Sequence, residues 1–198
     1  MKQLLLIRHG ESQADILHVH EGRADFSLTE RGHSQAQAMG KWVAEHYCLD
    51  LIFASTLKRA AQTAQYLSEA AGVEVNADED LMEFNNGLLV GLPFEEAAAR
   101  YPRVENLPPD QSVYGQYEFR ARADRALARC LAQIPDGATA AIVSHGGMIN
   151  QLFASLIGLP PAASPRFLTG DTGIHLWVLA QDGPRLIFSN KQEHLLDM

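Results

Sequence analysis

Three short apolar runs in this chain each lead into residues that could do chemistry. Residues 4–7 run straight into Arg8, His9, Gly10 and Glu11. Residues 50–55 end on Ser55 with Arg59 just beyond, and residues 139–144 end on His145, Gly146 and Gly147. A loop with Glu79, Asp80 and Glu83 could bring a carboxylate over them. Two histidines, two arginines and one carboxylate are what a phosphohistidine mechanism needs. A neutral imidazole is a good nucleophile toward phosphorus and gives a covalent phosphoryl-enzyme that water can attack. Guanidinium groups match phosphate oxygens as a bidentate fork and keep their charge. A carboxylic acid of raised pKa can protonate a leaving alcohol and then act as a base on water. One Arg-His-Gly at a strand end reads equally well as an ordinary turn, so the recurrence of the arrangement carries the weight.

Position requires a sheet whose strands deliver these residues to one edge. Short apolar runs bounded by turn signals fit central parallel strands, and open α/β sheets keep their chemistry at the carboxyl ends of such strands. Residues 12–28 lack periodicity and read as a loop over the end of the first strand, with His18 and His20 in it. Thr29 can cap a helix that ends near Tyr47, with Leu28, Ala36, Met39 and Val43 along its apolar stripe. A second helix follows residues 50–55 and stops at Gly72; Arg59 sits in its first turn, where exposed N–H groups favour an anion. Residues 73–76 read as a short strand, Pro93 opens a small helix that Pro102 ends, and residues 102–116, with Pro108 and Pro109, form a surface excursion that could serve as a lid. An amphipathic helix spans 117–134, with Arg122, Arg125 and Arg129 expected on a solvated face and Glu118 supporting Arg122. A further helix after Gly147 closes at Gly158. The end of the chain reads as a hairpin around residues 181–183, with His175 a satisfied sheet histidine.

With 198 residues, 46% hydrophobic and 20% charged, the chain suits one globular domain over residues 1–198. A formal net charge of −8 argues against nucleic acid or an anionic membrane as a partner, since both need a basic footprint. The absence of a long apolar stretch and of a signal-peptide layout points to a cytoplasmic protein. Cys48 and Cys130 are expected as buried, reduced thiols in helices. The pair His18 and His20 lacks a further ligand at metal-like spacing, so no metal site and no cofactor is expected.

The motifs "LIRHGES", "SLTERGHSQA", "STLKRAAQTA" and "VSHGG", in this order and covering most of the chain, resemble those of the histidine phosphatase superfamily, also called phosphoglycerate mutase-like. The resemblance implies a three-layer α/β/α sandwich with a mainly parallel central sheet. It also implies that His9 is the nucleophile, that Arg8, Arg59 and His145 bind the phosphoryl group, that the backbone of Gly146 adds a donor, and that Glu83 in "LMEFNNG" donates the proton, with Glu79 and Asp80 as competitors. Ser12, Asp15, Gly22 and Asn85 fall on the substrate side, and Phe84, Asn86, Tyr101 and Tyr114 are further candidates there. Two departures stand out. Asp15 occupies a position where many relatives have a phosphate-contacting asparagine, so it is expected to turn away, be protonated or contact a cationic part of the substrate. Leu89-Val90-Gly91 stands where relatives often have "WEG".

Mutases of this family are similar in mechanism but typically longer, which favours net hydrolysis here. The expected function is a metal-independent phosphomonoesterase for a small phosphorylated metabolite. The alternatives are a phosphatase of phosphohistidine or other phosphorylated side chains, a phosphoglycerate mutase, or a catalytically silent binding protein of the same fold. A homodimer through an exposed edge strand is possible on this reading.

Overall fold

Four consecutive residues of the first strand can all be apolar because the sheet around that strand is covered on both faces. The computed structural model describes residues 1–101, 113–163 and 166–196. Its elements are β1 (Lys2–Arg8), α1 (Gln13–Leu17), α2 (Glu30–His46), β2 (Leu51–Ser55), α3 (Lys58–Ala71), β3 (Val75–Asp78), α4 (Phe94–Arg100), α5 (Val113–Gln133), β4 (Thr139–Ser144), α6 (Gly146–Leu156), β5 (Ile174–Ala180) and β6 (Gly183–Lys191). Six strands form one sheet in the order β3-β2-β4-β1-β5-β6. The first four pair in parallel, whereas β5 and β6 run antiparallel as a hairpin at one edge.

Period-two alternation sends Leu4 and Leu6 into one core and Leu5 and Ile7 into the other. The first core continues through Phe53, Ile142 and the α5 and α6 residues Ala123, Leu127, Leu152 and Phe153. The second joins Ile52 and Val143 to Met39 and Val43 of α2 and to Ala60, Ala64 and Leu67 of α3. These are the three layers that the family resemblance implies. Gly32, in the first turn of α2, has a positional reason: a Cβ there would strike the backbone oxygen of Glu11. Thr29 caps the same turn, its Oγ1 accepting from the Gly32 N–H at 2.9 Å and donating to Glu11 at 2.7 Å. The chain leaving β1 is thereby tied to the start of α2.

Several expectations need correction. The loop over residues 12–28 contains α1, a five-residue helix too short to show periodicity, closed at its start by a reciprocal bond pair between Ser12 and Asp15. The third strand lies at Val75–Asp78, two residues beyond its expected place, because register with β2 sets it, Ile52 facing Val75 and Ser55 facing Asp78. Since α2 stops at His46, Cys48 falls in the connection and is exposed, while Cys130 is buried as expected. Of the row on α5, Arg125 and Arg129 are exposed as expected, but Arg122 is not. Arg122 is buried and donates to the carbonyls of Asp80, Met82 and Glu83, and Arg129 binds both carboxylate oxygens of Asp78 at 2.9 Å. Unpaired carbonyls in the turn at Glu79–Leu81 and the residues after it face α5, and arginine is what meets them. The helix begins at Val113, earlier than its apolar pattern suggested. Most of the 102–116 excursion, with Pro102, Pro108 and Pro109, lies outside the described residues, as does the side chain of Tyr114. No helix among the described residues is long and apolar enough to cross a membrane.

Candidate active site

Strands β1 and β4 are parallel neighbours, and the chain leaves them toward opposite faces, β1 into α2 and β4 into α6. A crevice opens at the carboxyl ends where that divergence occurs. His9 follows β1 and His145 follows β4, both buried, with ring centroids 5.1 Å apart. His9 Nδ1 lies 2.7 Å from the Gly10 carbonyl oxygen. A carbonyl can only accept, so Nδ1 carries the proton and Nε2 keeps its lone pair. That lone pair receives a hydrogen bond from Arg59 Nε at 3.2 Å. Burial, reinforced by Arg8 and Arg59, holds the His9 imidazole well below the usual histidine range, and burial and Arg59 do the same for His145. Both rings are therefore neutral at pH 7.

The tautomer of His145 follows from Ser55. Ser55 Oγ accepts from the Leu57 N–H at 3.3 Å and lies 2.8 Å from His145 Nε2; with no other acceptor for its O–H among the described residues, that proton goes to the ring nitrogen. Nδ1 then carries the ring proton. It is buried and has no partner among the described residues, which makes it a donor in waiting.

Arg59, in the first turn of α3, is fully buried; the carbonyls of Gly22 and Ala24 fix its two terminal nitrogens at 2.9 Å each. Arg8 donates to the Thr169 carbonyl at 3.1 Å and stands between two carboxylates, Asp171 at 3.3 Å and Asp15 at 3.6 Å.

Glu83 reaches the first turn of α6. Its Oε2 accepts from the Gly147 N–H at 2.8 Å and its Oε1 from the Phe84 N–H at 2.7 Å. A Cβ on Gly147 would run into this carboxylate, so the second glycine of "HGG" is what admits it. Asp80, a competitor in the sequence, is turned to Arg129 at 2.8 Å. Gly146 is the first residue of α6, where backbone N–H groups have no partner within the helix.

The remaining expected residues lie close by with structural duties. Ser12 and Asp15 close the start of α1, the Ser12 N–H donating to Asp15 at 2.8 Å, and the cation beside Asp15 is the protein's own Arg8 at 3.6 Å rather than part of a substrate. Gly22, at φ +49°, turns its carbonyl to Arg59. Asn85 accepts from the Gly87 N–H at 3.1 Å. His18 ends α1 in a left-handed conformation, and His20 packs edge-on against Phe94. Sequence reasoning missed three neighbours: Arg122, which pins the Glu83 carbonyl at 2.8 Å; Asp171; and Glu21, whose carboxylate lies 3.1 Å from Arg59 Nε and 3.8 Å from His9 Nε2. An acidic residue directly before a glycine in a loop over the strand end was the available signal for Glu21.

The sequence and the fold are similar to those of known proteins. The family model of the histidine phosphatase superfamily, branch 1, matches residues 4–192. A probable phosphoglycerate mutase of Klebsiella pneumoniae is 34% identical over 173 residues, covering 84% of this chain and 80% of that protein. Among solved structures, a phosphoserine phosphatase of Entamoeba histolytica in complex with 3-phosphoglyceric acid superposes with a TM-score of 0.79 at 29% identity, covering 99% of this chain and 100% of that one. The alpha-ribazole phosphatase of Shigella flexneri does so with a TM-score of 0.84 at 27% identity, covering 96% of each chain. On the family model, the shared sheet and the paired strand-end histidines, this chain belongs to the histidine phosphatase superfamily.

Proposed function

We propose that the protein is a metal-independent phosphomonoesterase that hydrolyses a small phosphorylated metabolite through a phosphohistidine on His9. The observation that carries this reading is the commitment of His9 Nδ1 to the Gly10 carbonyl, which leaves the unprotonated Nε2, met by the Arg59 N–H, facing the space beside His145. Nε2 attacks phosphorus in line with the departing ester oxygen. Arg8, Arg59, the Nδ1–H of His145 and the Gly146 N–H neutralise charge on the three equatorial oxygens. Glu83 protonates the leaving alcohol, and its carboxylate then takes a proton from the water that attacks the phosphohistidine. Inorganic phosphate is released and His9 is regenerated. The two arginines supply the positive charge that the reaction needs.

The small-molecule reading is supported by a cavity of about 130 Å³ that begins at Phe84, the residue after Glu83, and is lined by Arg23, Asn85, Phe119, Arg122 and Arg125, with Glu118 as its one carboxylate among the described residues. Its size suits a compact leaving group, and Arg23 and Arg125 suit one that carries a second anion such as a carboxylate. Relatives that act on phosphoserine, or that bind 3-phosphoglyceric acid, fit that description. A mutase is the second reading, favoured by the name given to the Klebsiella relative.

Incubation with a panel of small phosphate esters tests both. The expected result is stoichiometric release of inorganic phosphate, unaffected by chelators and lost in His9→Ala, with an acid-labile phosphoryl group trapped on wild-type protein. Turnover that survives His9→Ala would sink the reading, and isomerised monoester without free phosphate would replace hydrolysis with the mutase.

A further inference from the structure

Glu21 is the feature that the proposed chemistry does not use and cannot ignore. Its carboxylate is only 18% exposed, one oxygen 3.8 Å from His9 Nε2 and the other 3.1 Å from Arg59 Nε, yet the latter oxygen lacks an aligned hydrogen bond. A phosphoryl group poised for attack brings phosphorus to about 3–3.5 Å from Nε2. Its oxygens and Glu21 must therefore share one small volume. Two anionic groups at such separation cannot both stay ionised without a large penalty, and the usual outcome is that they share a proton.

We propose that Glu21 is a phosphoryl-binding residue that works in its protonated form, its carboxyl O–H donating to a phosphoryl oxygen, so that each dianionic group bound takes up one proton. The proposal rests on the phosphatase reading for its biological meaning, although the binding step can be measured without turnover. The groups facing Glu21 are Arg8 and His9 at the end of β1, Ser12 and Asp15 at the start of α1, and Arg59 on α3. Burial already pushes the empty-site carboxyl above the usual glutamate range, against the opposing pulls of Arg59, the Ser12 hydroxyl and Arg8, with Asp15 adding to the rise. A bound dianion acts in the same direction. With Glu21 in place, the empty site holds an internal anion against Arg59; protonation removes that competitor and converts it to a donor.

Sulfate is the probe, because it stays dianionic throughout the range and is not turned over. Calorimetric titration of the full chain with sulfate is expected to show wild-type affinity falling as pH rises past the titration of the empty-site carboxyl, by up to about tenfold per unit, as a one-proton linkage requires. Repeating it in buffers of different ionisation enthalpy is expected to report uptake of close to one proton. In Glu21→Gln the amide N–H replaces the donor without a titrating group. The slope should largely disappear, and sulfate should bind at least about tenfold more tightly than to wild type near pH 8. Glu21→Ala should share the gain at high pH and lose affinity relative to wild type near pH 5.5. Parallel pH profiles for wild type and Glu21→Gln overturn the proposal, as does uniformly weaker binding by Glu21→Gln, which would make the charged form a positioning partner of Arg59. Unchanged melting of the variants confirms that folding is not being read. Turnover that survives His9→Ala would sink the phosphatase reading while leaving the sulfate profiles to stand or fall alone.

Discussion

The sheet holds two buried histidine environments, and they differ in what their ring nitrogens touch. His175, the second residue of β5, bonds Ser189 through Nδ1 and Thr169 through Nε2, each at 2.9 Å. Phe153 packs edge-on against its ring at 4.9 Å. His9 and His145, at the ends of parallel strands, are equally buried, yet His145 Nδ1 has no partner among the described residues and His9 Nε2 faces a guanidinium. Burial lowers the pKa at all three positions, so neither burial nor that shift separates a working histidine from a structural one. What the ring nitrogens face does. Two neutral hydroxyls fix the His175 ring, whereas the unpartnered His145 Nδ1 and the guanidinium on His9 Nε2 offer an anion donors to complete the set.

The most damaging change to this contrast is His9→Ala, which should lower kcat by at least about 10⁴-fold on every ester, as loss of a covalent nucleophile does. Steady-state phosphate release measures it. Glu83→Gln comes next. For an alkyl phosphate, whose leaving oxygen needs a proton, kcat should fall by roughly 10²–10⁴-fold. For a nitrophenyl phosphate, whose leaving group departs unprotonated, the loss should be far smaller. Equal losses on both esters would remove Glu83 from the proton-donor role and leave it as a clamp on α6.

Ser55→Ala probes the tautomer of His145. Without the hydroxyl proton directed at Nε2, the ring is free to carry its proton there, and Nδ1 loses the donor that a phosphoryl oxygen needs. Partners of this kind are worth about 10–100-fold when removed. A drop in kcat/KM of about tenfold, with melting little changed, is expected. No kinetic change would mean that His145 orients itself by other contacts.

The contrast between the histidines was legible in the sequence as far as strand ends were. The apolar runs at 4–7 and 139–144 fixed which histidines sit at an edge, and the alternation of His175 with Leu176 and Trp177 marked it as a sheet residue. Residues held by distant backbone left no local trace. Arg122 read as one of three solvated arginines because its helical position does not reveal the Asp80, Met82 and Glu83 carbonyls facing it. Asp15 read as a residue opposed to phosphate, although a capping role with Ser12 was already written in the spacing. Glu21 was overlooked because a nonperiodic loop gives no direction to its side chains. What the sequence encoded through period survived; what depended on loop conformation did not.

The smallest expected effect is also the closest test of the contrast. His175 should matter to stability rather than rate, and the sign of its pH dependence follows from its pKa, lowered by burial from 6.5 to about 4. Between those values the unfolded chain binds a proton that the native ring refuses. Its contribution is fully present above 6.5 and is lost as pH falls toward about 4, with a slope of at most about 1.4 kcal/mol per unit. His175→Asn keeps a polar group but cannot reach both Ser189 and Thr169. It should melt lower at pH 7, by about 1–3 kcal/mol for the partner left unpaired, and show a shallower decline in acid than wild type. Thermal unfolding across that range measures both. The kcat should stay within about twofold of wild type, in line with an interior change away from the reacting atoms. Thr169 is where this could fail, since its hydroxyl meets His175 while its carbonyl holds Arg8 at 3.1 Å. If His175→Asn costs as much activity as Ser55→Ala, the two environments are joined through that residue, and the closed histidine is part of what positions the phosphate-facing arginine.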